Sequence, residues 1–305
     1  MDGKPLISFD YAIKYLVKDK GDYEIVEGFI SSLLKSQGEG YKDVKIIALL
    51  DTESNQEDSM QKRSLADVIV EDEDHRKYII EIERNVQRGF IHKACFNTSR
   101  LIVDHLSHGI DFHNIIKVFH ISILYFPVGN EPIHHGQTII SGLESKEKLT
   151  VHIKDPVTHV VTDATDILPE YFFISIPLFD DRLKNEMDAW LYVMKHDDIP
   201  KNFHSPYMEK VKDKLAILKM TTEERNNYFA YQKQVRTDQD SLDTAREEGV
   251  EKGVEIGMEK KARDNAKNLI RMGLPLNQVS RGTELSIEIV EKLAEELKNE
   301  DKRNS

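Results

Sequence analysis

Three acidic residues interrupt two apolar, strand-like segments in the first third of the chain. Asp67 lies in "SLADVIVED", and Glu81 and Glu83 lie in "RKYIIEIER", with the acidic stretch "EDEDH" at the junction. Side chains alternate along a strand, so Glu81 and Glu83 emerge on the same face. If the two segments pair antiparallel about a turn centred near Asp74, Asp67 lies opposite Glu81. The pattern therefore predicts that three carboxylates converge on one patch.

Three neighbouring carboxylates repel one another unless a cation lies between them or a proton is shared. Oxygen ligands of this kind suit Mg²⁺ or Mn²⁺, which bind one or two carboxylates together with water and phosphate oxygens. Such an ion polarises a phosphodiester and activates water. The alternative is that one or more of the three faces solvent on a half-exposed sheet. A glycosidase fits poorly, because its two carboxyl groups must flank the sugar.

The elements that would position these carboxylates follow an αβββαβ order. Helical spacing marks "FDYAIKYLVKDKGDYEIVEGFISSLLKS", with a hinge at "KDKGD". Strand-like segments follow at 44–50, 64–72 and 76–84, then an amphipathic helix, "RGFIHKACFNTSRLIVDHLSHG". The apolar segment 115–126 is typical of a strand covered on both faces. Further strands are expected in "KLTVHIKD", "THVVTD" and "YFFISIPLF", and helices from residue 181 onward.

The last sixty residues differ from the rest. Gly249, Gly253 and Gly257 recur every four residues in a charged helix. This stripe is compatible either with a solvated helical linker, since each interior glycine costs about 1 kcal/mol relative to alanine, or with helix pairing and a homo-oligomer. The end of the chain predicts three helices joined by two turns, similar to a helix-turn-helix unit. Its final helix is acidic, which favours a protein-interaction element over a DNA reader.

Composition narrows the class of protein without deciding its function. The 305 residues carry a net charge of −12, and no stretch approaches the roughly 18 apolar residues that span a bilayer. The one cysteine, Cys95, fits a reducing cytoplasm and reads as a small core residue. The negative net charge of the chain argues against a generally basic protein that covers nucleic-acid phosphates. It is compatible with a nuclease, which needs only a local positive groove.

The chain resembles the PD-(D/E)XK nuclease superfamily, and more specifically the Rpn family of recombination-promoting nucleases, also described as putative transposases. The resemblance rests on "FDYAIKYLVKDKGDYEIVEGFISSLL", "RSLADVIVEDEDHRKYIIEIE", "FIHKACFNTSRLIVDHLSHGIDFHNIIKVFHISILYF" and "EEGVEKGVEIGMEK" with "LIRMGLPLNQVS". It implies an α/β (α+β) restriction-endonuclease-like core, αβββαβ with a central mixed sheet, followed by an all-α region. The expected organisation is a nuclease-like domain at 1–180, a helical extension at 181–240 and a glycine-striped helical tail at 241–305.

The resemblance also implies site residues. Asp67 and Glu81 take the acidic positions of the motif as metal ligands, and the backbone carbonyl of Ile82 would be a third ligand. Glu83 departs from the pattern, because that position is usually lysine, or glutamine in the Rpn family. A glutamate there could hold the attacking water, act as general base or recruit a second metal. Glu27 matches a place where some members supply an additional acidic ligand, and the alternative is an exposed helical glutamate.

Basic residues around the motif could neutralise DNA phosphates or merely solvate a helix face. These residues are Lys62, Arg63, Arg84, Arg88, Lys93 and Arg100. Lys93 takes the place of an arginine that the family tends to carry early in the following helix. His134 and His135, in "IHHGQT", lack a third ligand at recognisable spacing, so a polar loop is expected there.

Two functions are therefore compatible with the sequence. The first is a DNA endonuclease that depends on Mg²⁺ or Mn²⁺ and is associated with recombination or mobile elements. The second is a catalytically degenerate nuclease fold that acts as a DNA- or protein-binding module.

Overall fold

The computed structural model divides the chain into two compact units, Met1–Tyr228 and Phe229–Ser305. The residues that it describes are 6–38, 41–50, 67–105, 115–149, 153–154, 161–162, 167–201 and 203–303.

The first unit combines a sheet with helices from both ends of its sequence. Its helices are α1 (Phe9–Lys14, continued by a π-helical turn, Tyr15–Asp19), α2 (Glu24–Lys35), α3 (Phe90–His105), α4 (Glu186–His196) and α5 (Pro206–Lys214). Its strands are β1 (Ile46–Leu50), β2 (Val68–Asp72), β3 (Lys77–Glu83), β4 (Val118–Leu124), β5 (Ile133–Gln137), β6 (Ile153–Lys154), β7 (Val161–Thr162) and β8 (Glu170–Ser175). The predicted αβββαβ order is confirmed, with the first helical segment broken at the expected hinge.

Six strands form a mixed sheet in the order β1-β2-β3-β4-β8-β5. The central strands β3, β4 and β8 run parallel, while β1–β2, β2–β3 and β5–β8 are antiparallel pairs. Every residue of β4 is buried, as its continuous apolar sequence predicts. The predicted central mixed sheet of a restriction-endonuclease-like fold is thus confirmed.

The strands expected in "KLTVHIKD" and "THVVTD" are present as β6 and β7, which among the described strands pair only with each other. Two local predictions need correction. The sequence "IHHGQ" forms the edge strand β5 and not a polar loop, because its backbone pairs with β8. Cys95 is exposed and is not a core residue, because the buried face of α3 includes its neighbour Ala94 instead.

Helix α3 packs on one face of the sheet. Leu101 and Ile102 of α3 contact a small buried cluster formed by Ile79 of β3 and Val118 of β4. Residues of β3 at alternate positions share this face, so Glu81 and Glu83 also point toward α3.

Helices α1, α2 and α4 share an aromatic core. Trp190 packs edge-to-face with Phe9 and Phe29, at ring-centroid distances of 5.9 and 6.0 Å. Its indole N–H donates a hydrogen bond of 3.0 Å to the Ser32 hydroxyl, so the buried polar atom is satisfied. A capping box at Asn185 defines the start of α4.

The second unit is helical. It contains most of the 50-residue helix α6 (Thr222–Arg271), followed by α7 (Leu276–Thr283) and α8 (Ile287–Arg303). A small apolar core joins the three, comprising Ala266, Val279, Leu285, Val290 and Leu293. The predicted sequence of helix, turn, short helix, turn and helix is confirmed. Among the described helices, none has the length and apolar character that crossing a membrane would require.

Candidate active site

The β2–β3 hairpin has the register that the sequence predicts. Val68 pairs with Ile80, and Glu71 pairs with Lys77, so the hairpin is centred on residue 74. Carried one residue past Val68, this register places Asp67 opposite Glu81. Asp67 itself lies just before β2, which begins at Val68.

Asp67 is held at the end of the strand pair by two contacts. Its Oδ2 accepts a hydrogen bond of 2.7 Å from the backbone N–H of Ile82. Its Oδ1 lies 2.7 Å from the ammonium nitrogen of Lys14, at the end of α1. The carboxylate therefore connects α1 to β3 across the open end of the hairpin.

The backbone around Ile82 shows which way its carbonyl points. In an antiparallel pair, the N–H and C=O of one residue point to the same side of its strand. The Ile82 N–H points to Asp67, whereas the Glu83 carbonyl accepts from the Tyr125 N–H, 2.9 Å away on the opposite side. The Ile82 carbonyl therefore points toward the edge of β3 on which Asp67 lies.

Glu81 is almost completely buried, at 2 % exposure, and is surrounded by polar groups from α3 and β4. The side-chain amide of Asn97 donates a hydrogen bond to its Oε1. On the other oxygen, Oε2 lies 3.5 Å from Nε2 of His120, a contact too long for a strong hydrogen bond. The Lys93 ammonium is 3.8 Å from Oε1.

Glu83 shares the Lys93 ammonium with Glu81. The Lys93 Nζ lies 2.6 Å from Glu83 Oε1, and the Gln87 amide donates to Oε2 at 2.8 Å. Burial alone would lower the pKa of Lys93, but the hydrogen bond to Glu83 and the charge of Glu81 outweigh it, so the pKa is raised. Lys93 therefore remains a cation at neutral pH and bridges both glutamates.

The convergence of three carboxylates stays a prediction. All three lie near the Lys93 ammonium, because the charges of Glu81, Glu83 and Asp67 each raise its pKa. Glu81 and Glu83 contact Lys93 directly, whereas the two oxygens of Asp67 contact Lys14 and the Ile82 N–H. Within the described part of the chain, no three His, Cys, Asp or Glu side chains are already grouped as a metal site. The oxygen donors at the hairpin end are thus two opposed carboxylates and one backbone carbonyl. This set fits Mg²⁺, which typically binds one or two carboxylates and retains several waters.

Glu27 has a structural partner on β1. Its Oε1 accepts from the backbone N–H of Ile46 at 2.9 Å, and its Oε2 lies 2.9 Å from the Lys45 ammonium. These contacts attach α2 to the first residue of β1. A ligand role for Glu27 stays a prediction.

Most of the described basic residues around the motif already have an acidic partner. Arg84 donates from Nε to Asp10 at 2.8 Å and stacks over the Tyr125 ring at 4.7 Å. Arg100 contacts Asp104 at 3.3 Å, one turn away on α3. Arg88 is exposed in the turn before α3. The predicted phosphate contacts at Lys62 and Arg63 fall outside the described residues.

Sequence reasoning missed four residues that contact the predicted site. Lys14 and Asp10 lie on α1, and Asn97 and His120 surround Glu81. The available signal was a polar residue at an apolar position, such as the histidine in "VFHISIL". His134 and His135 lie in β5, where the latter contacts Glu170 at 2.8 Å.

One comparison with known proteins finds a match. A family model described as PD-(D/E)XK nuclease family transposase matches residues 7–245, well over half of the chain. Neither the curated proteins nor the solved structures include a match.

Proposed function

Because the chain belongs to the PD-(D/E)XK nuclease family of transposases, we propose that it is a divalent-metal-dependent DNA endonuclease, a hydrolase acting on phosphodiester bonds in recombination or mobile-element movement. The match is compatible with the Rpn family. PD-(D/E)XK nucleases generally use divalent metal ions, and Mg²⁺, with Mn²⁺ as a substitute, is the proposed cofactor.

The observation that supports the proposal is the contact at the open end of the hairpin: the Ile82 N–H donates to Asp67, and the β2–β3 register, continued one residue past Val68, brings Asp67 opposite Glu81. The oriented carbonyl of Ile82 completes an all-oxygen set on that edge. Asp67, Glu81 and this carbonyl are the proposed metal ligands. When bound, the ion supplies Lewis-acid polarisation of the phosphodiester and lowers the pKa of a bound water.

Glu83 and Lys93 together are proposed to replace the lysine that usually ends the motif. Glu83 is proposed to accept a proton from the attacking water through a carboxylate oxygen. Lys93 supplies, from α3, the positive charge that Glu83 cannot provide, and its ammonium lies 2.6 Å from Glu83 and 3.8 Å from Glu81. Breaking the buried pair would leave Glu83 without a counter-ion, so Lys93 is proposed to hold this base in place more than to bind DNA phosphate.

The test is nicking of supercoiled plasmid DNA with Mg²⁺ or Mn²⁺. Asp67→Asn and Glu81→Gln keep the side-chain shape and remove the charge, and each should reduce the rate by at least ~10²-fold. Asp74→Asn, at the tip of the same hairpin, is the matched control and should nick like the wild type. Circular dichroism and thermal unfolding would establish that all four proteins are folded.

An inert wild type would contradict the endonuclease proposal. If the folded protein binds DNA but does not nick it with either metal ion, the binding-module alternative is supported instead. If Asp74→Asn loses as much activity as Asp67→Asn, the open end of the hairpin, where Asp67 and Glu81 lie, is not the metal site.

A further inference from the structure

A polar cluster is buried between α3 and the central strand of the sheet. His120 on β4 has 0 % exposure, and Asn97 and Thr98 on α3 have 6 % and 1 %. The rest of β4 around His120 is largely apolar, with the sequence "VFHISIL". Burying polar groups in such a setting is unfavourable unless they are hydrogen-bonded.

The cluster is organised around the two oxygens of Glu81. The Asn97 amide donates to Oε1, and His120 Nε2 faces Oε2 at 3.5 Å. On its other side, the imidazole is within hydrogen-bond distance of a hydroxyl, with His120 Nδ1 lying 3.2 Å from Thr98 Oγ1. Each carboxylate oxygen therefore has its own partner from a different element.

The Glu81 carboxylate opposite Nε2 favours one tautomer of His120, because an ionised carboxylate only accepts hydrogen bonds. A neutral imidazole carries one N–H and one acceptor nitrogen, and the partner of one nitrogen decides where the proton lies. In that tautomer the proton on Nε2 points at Glu81, and Nδ1 accepts from the Thr98 hydroxyl, which also contacts Tyr171. Among the described residues, Nε2 has no hydrogen-bond partner, because Glu81 Oε2 lies 3.5 Å away. A small movement of Glu81 toward His120 would complete the Nε2–H to Oε2 hydrogen bond.

We propose that His120 is a positioning residue for Glu81: Thr98 fixes the Nε2–H tautomer, and Nε2–H together with the Asn97 amide fixes the plane of the carboxylate. The inference rests on the proposed function in one respect: the orientation of Glu81 matters for metal binding only if Glu81 is a metal ligand. Removing a residue that hydrogen-bonds to a metal ligand, and so orients that ligand, typically weakens metal affinity by 10–100-fold.

Two substitutions of His120 separate positioning from packing. Glutamine can place an amide nitrogen near the Nε2 position, whereas asparagine can reach only the Nδ1 position. Isothermal titration calorimetry with Mn²⁺, without DNA, should show binding weakened by about 10–100-fold in His120→Asn and by only about threefold in His120→Gln. Thr98→Val should resemble His120→Asn, while Thr98→Ser should resemble the wild type. In plasmid cleavage at one limiting Mn²⁺ concentration, the rates of these variants should fall in the same order as their Mn²⁺ affinities.

A second measurement does not depend on metal binding or cleavage. Long-range ¹H–¹⁵N correlation spectra of histidine-labelled protein, with His120 assigned from the signal missing in His120→Gln, should show the proton on Nε2. Thr98→Val should remove that preference. A proton on Nδ1 in the wild type would overturn the inference, whether or not the protein cleaves DNA.

The outcomes also separate this inference from the proposed function. If Asp67→Asn and Glu81→Gln bind Mn²⁺ like the wild type, the metal site is elsewhere, the proposed function fails, and the tautomer measurement alone decides the role of His120. If His120→Asn and His120→Gln lose Mn²⁺ affinity and thermal stability to the same extent, His120 contributes only packing and the inference is wrong.

Discussion

Replacing Lys93 by methionine should destabilise the first unit, because it removes the cation that two buried glutamates share. Glu81 and Glu83 have side-chain exposures of 3 % and 9 %, while that of Lys93 is 28 %. Methionine keeps much of the apolar stem and removes the ammonium. The carboxylates would then be buried without that counter-ion.

The magnitude follows from the burial of the three groups. Removing one partner of a fully buried pair costs roughly 3–5 kcal/mol. Lys93 is partly exposed, and the amides of Gln87 and Asn97 still donate to the glutamates, so we expect about 2 kcal/mol, below that range. For a unit of this size, that loss corresponds to a decrease in Tm of about 4–8 °C.

Differential scanning calorimetry at neutral pH would measure the effect in the full chain. The double variant Lys93→Met/Glu83→Gln should recover most of the loss, because a neutral amide needs no cation, and the double-mutant cycle isolates the pair. Arg88→Met is the control, since Arg88 is exposed and should change stability by at most about 0.5 kcal/mol. A Tm for Lys93→Met equal to that of the wild type would refute the reasoning. So would a double variant that is less stable than Lys93→Met alone.

Two further predictions concern other regions. Hydrogen bonds from Lys20 and Tyr15 lower the pKa of Glu224 from 4.5 to about 2, so its contribution to stability is present above pH 4.5 and is lost as the pH falls toward 2. The Tm difference between wild type and Glu224→Gln should therefore shrink as the pH is lowered from 7 to about 3. Glu223→Gln is the control, and a Tm difference for Glu224→Gln that does not depend on pH would contradict this prediction. Gly253 lies in α6 with open space around an added Cβ, so Gly253→Ala should stabilise α6 by about 1 kcal/mol in thermal circular dichroism. If α6 pairs with a second copy through the glycine stripe, sedimentation should show a wild-type dimer that Gly253→Ala weakens, and a monomeric wild type would refute that pairing.

The β2–β3 hairpin was predictable because its information is local. Two apolar segments of period two flank a short polar turn, and these features specify the register that puts Asp67 opposite Glu81. Strand β5 was not predictable in this way. Its sequence lacks an apolar pattern, and it forms because its backbone pairs with β8, with the His135 ring stacked on Phe172 at 4.5 Å.

The surroundings of Glu81 depend on contacts between elements that are distant in sequence. Asn97 and His120 come from α3 and β4, and only the rotation of α3 on the sheet decides which of its residues face Glu81. The same rotation gives Lys93 its role as counter-ion. A basic residue in an amphipathic helix could equally face solvent, as Arg88 does just before that helix. Sequence pattern alone therefore identified the acidic residues and left their partners open.

The glutamate at position 83, where the family usually has lysine or glutamine, changes the net charge near the open end of the hairpin. Asp67, Glu81 and Glu83 carry three negative charges, and Lys14 and Lys93 contribute two positive ones. This group therefore has an excess of one negative charge, which repels a phosphodiester. A divalent cation would reverse that sign, because a bound ion is often the largest local charge in its site. With lysine at position 83, the same group would be positive without any metal. Under the proposed function, glutamate at this position would make the approach of the DNA backbone depend on the cation, and metal binding and substrate binding would be coupled through one residue.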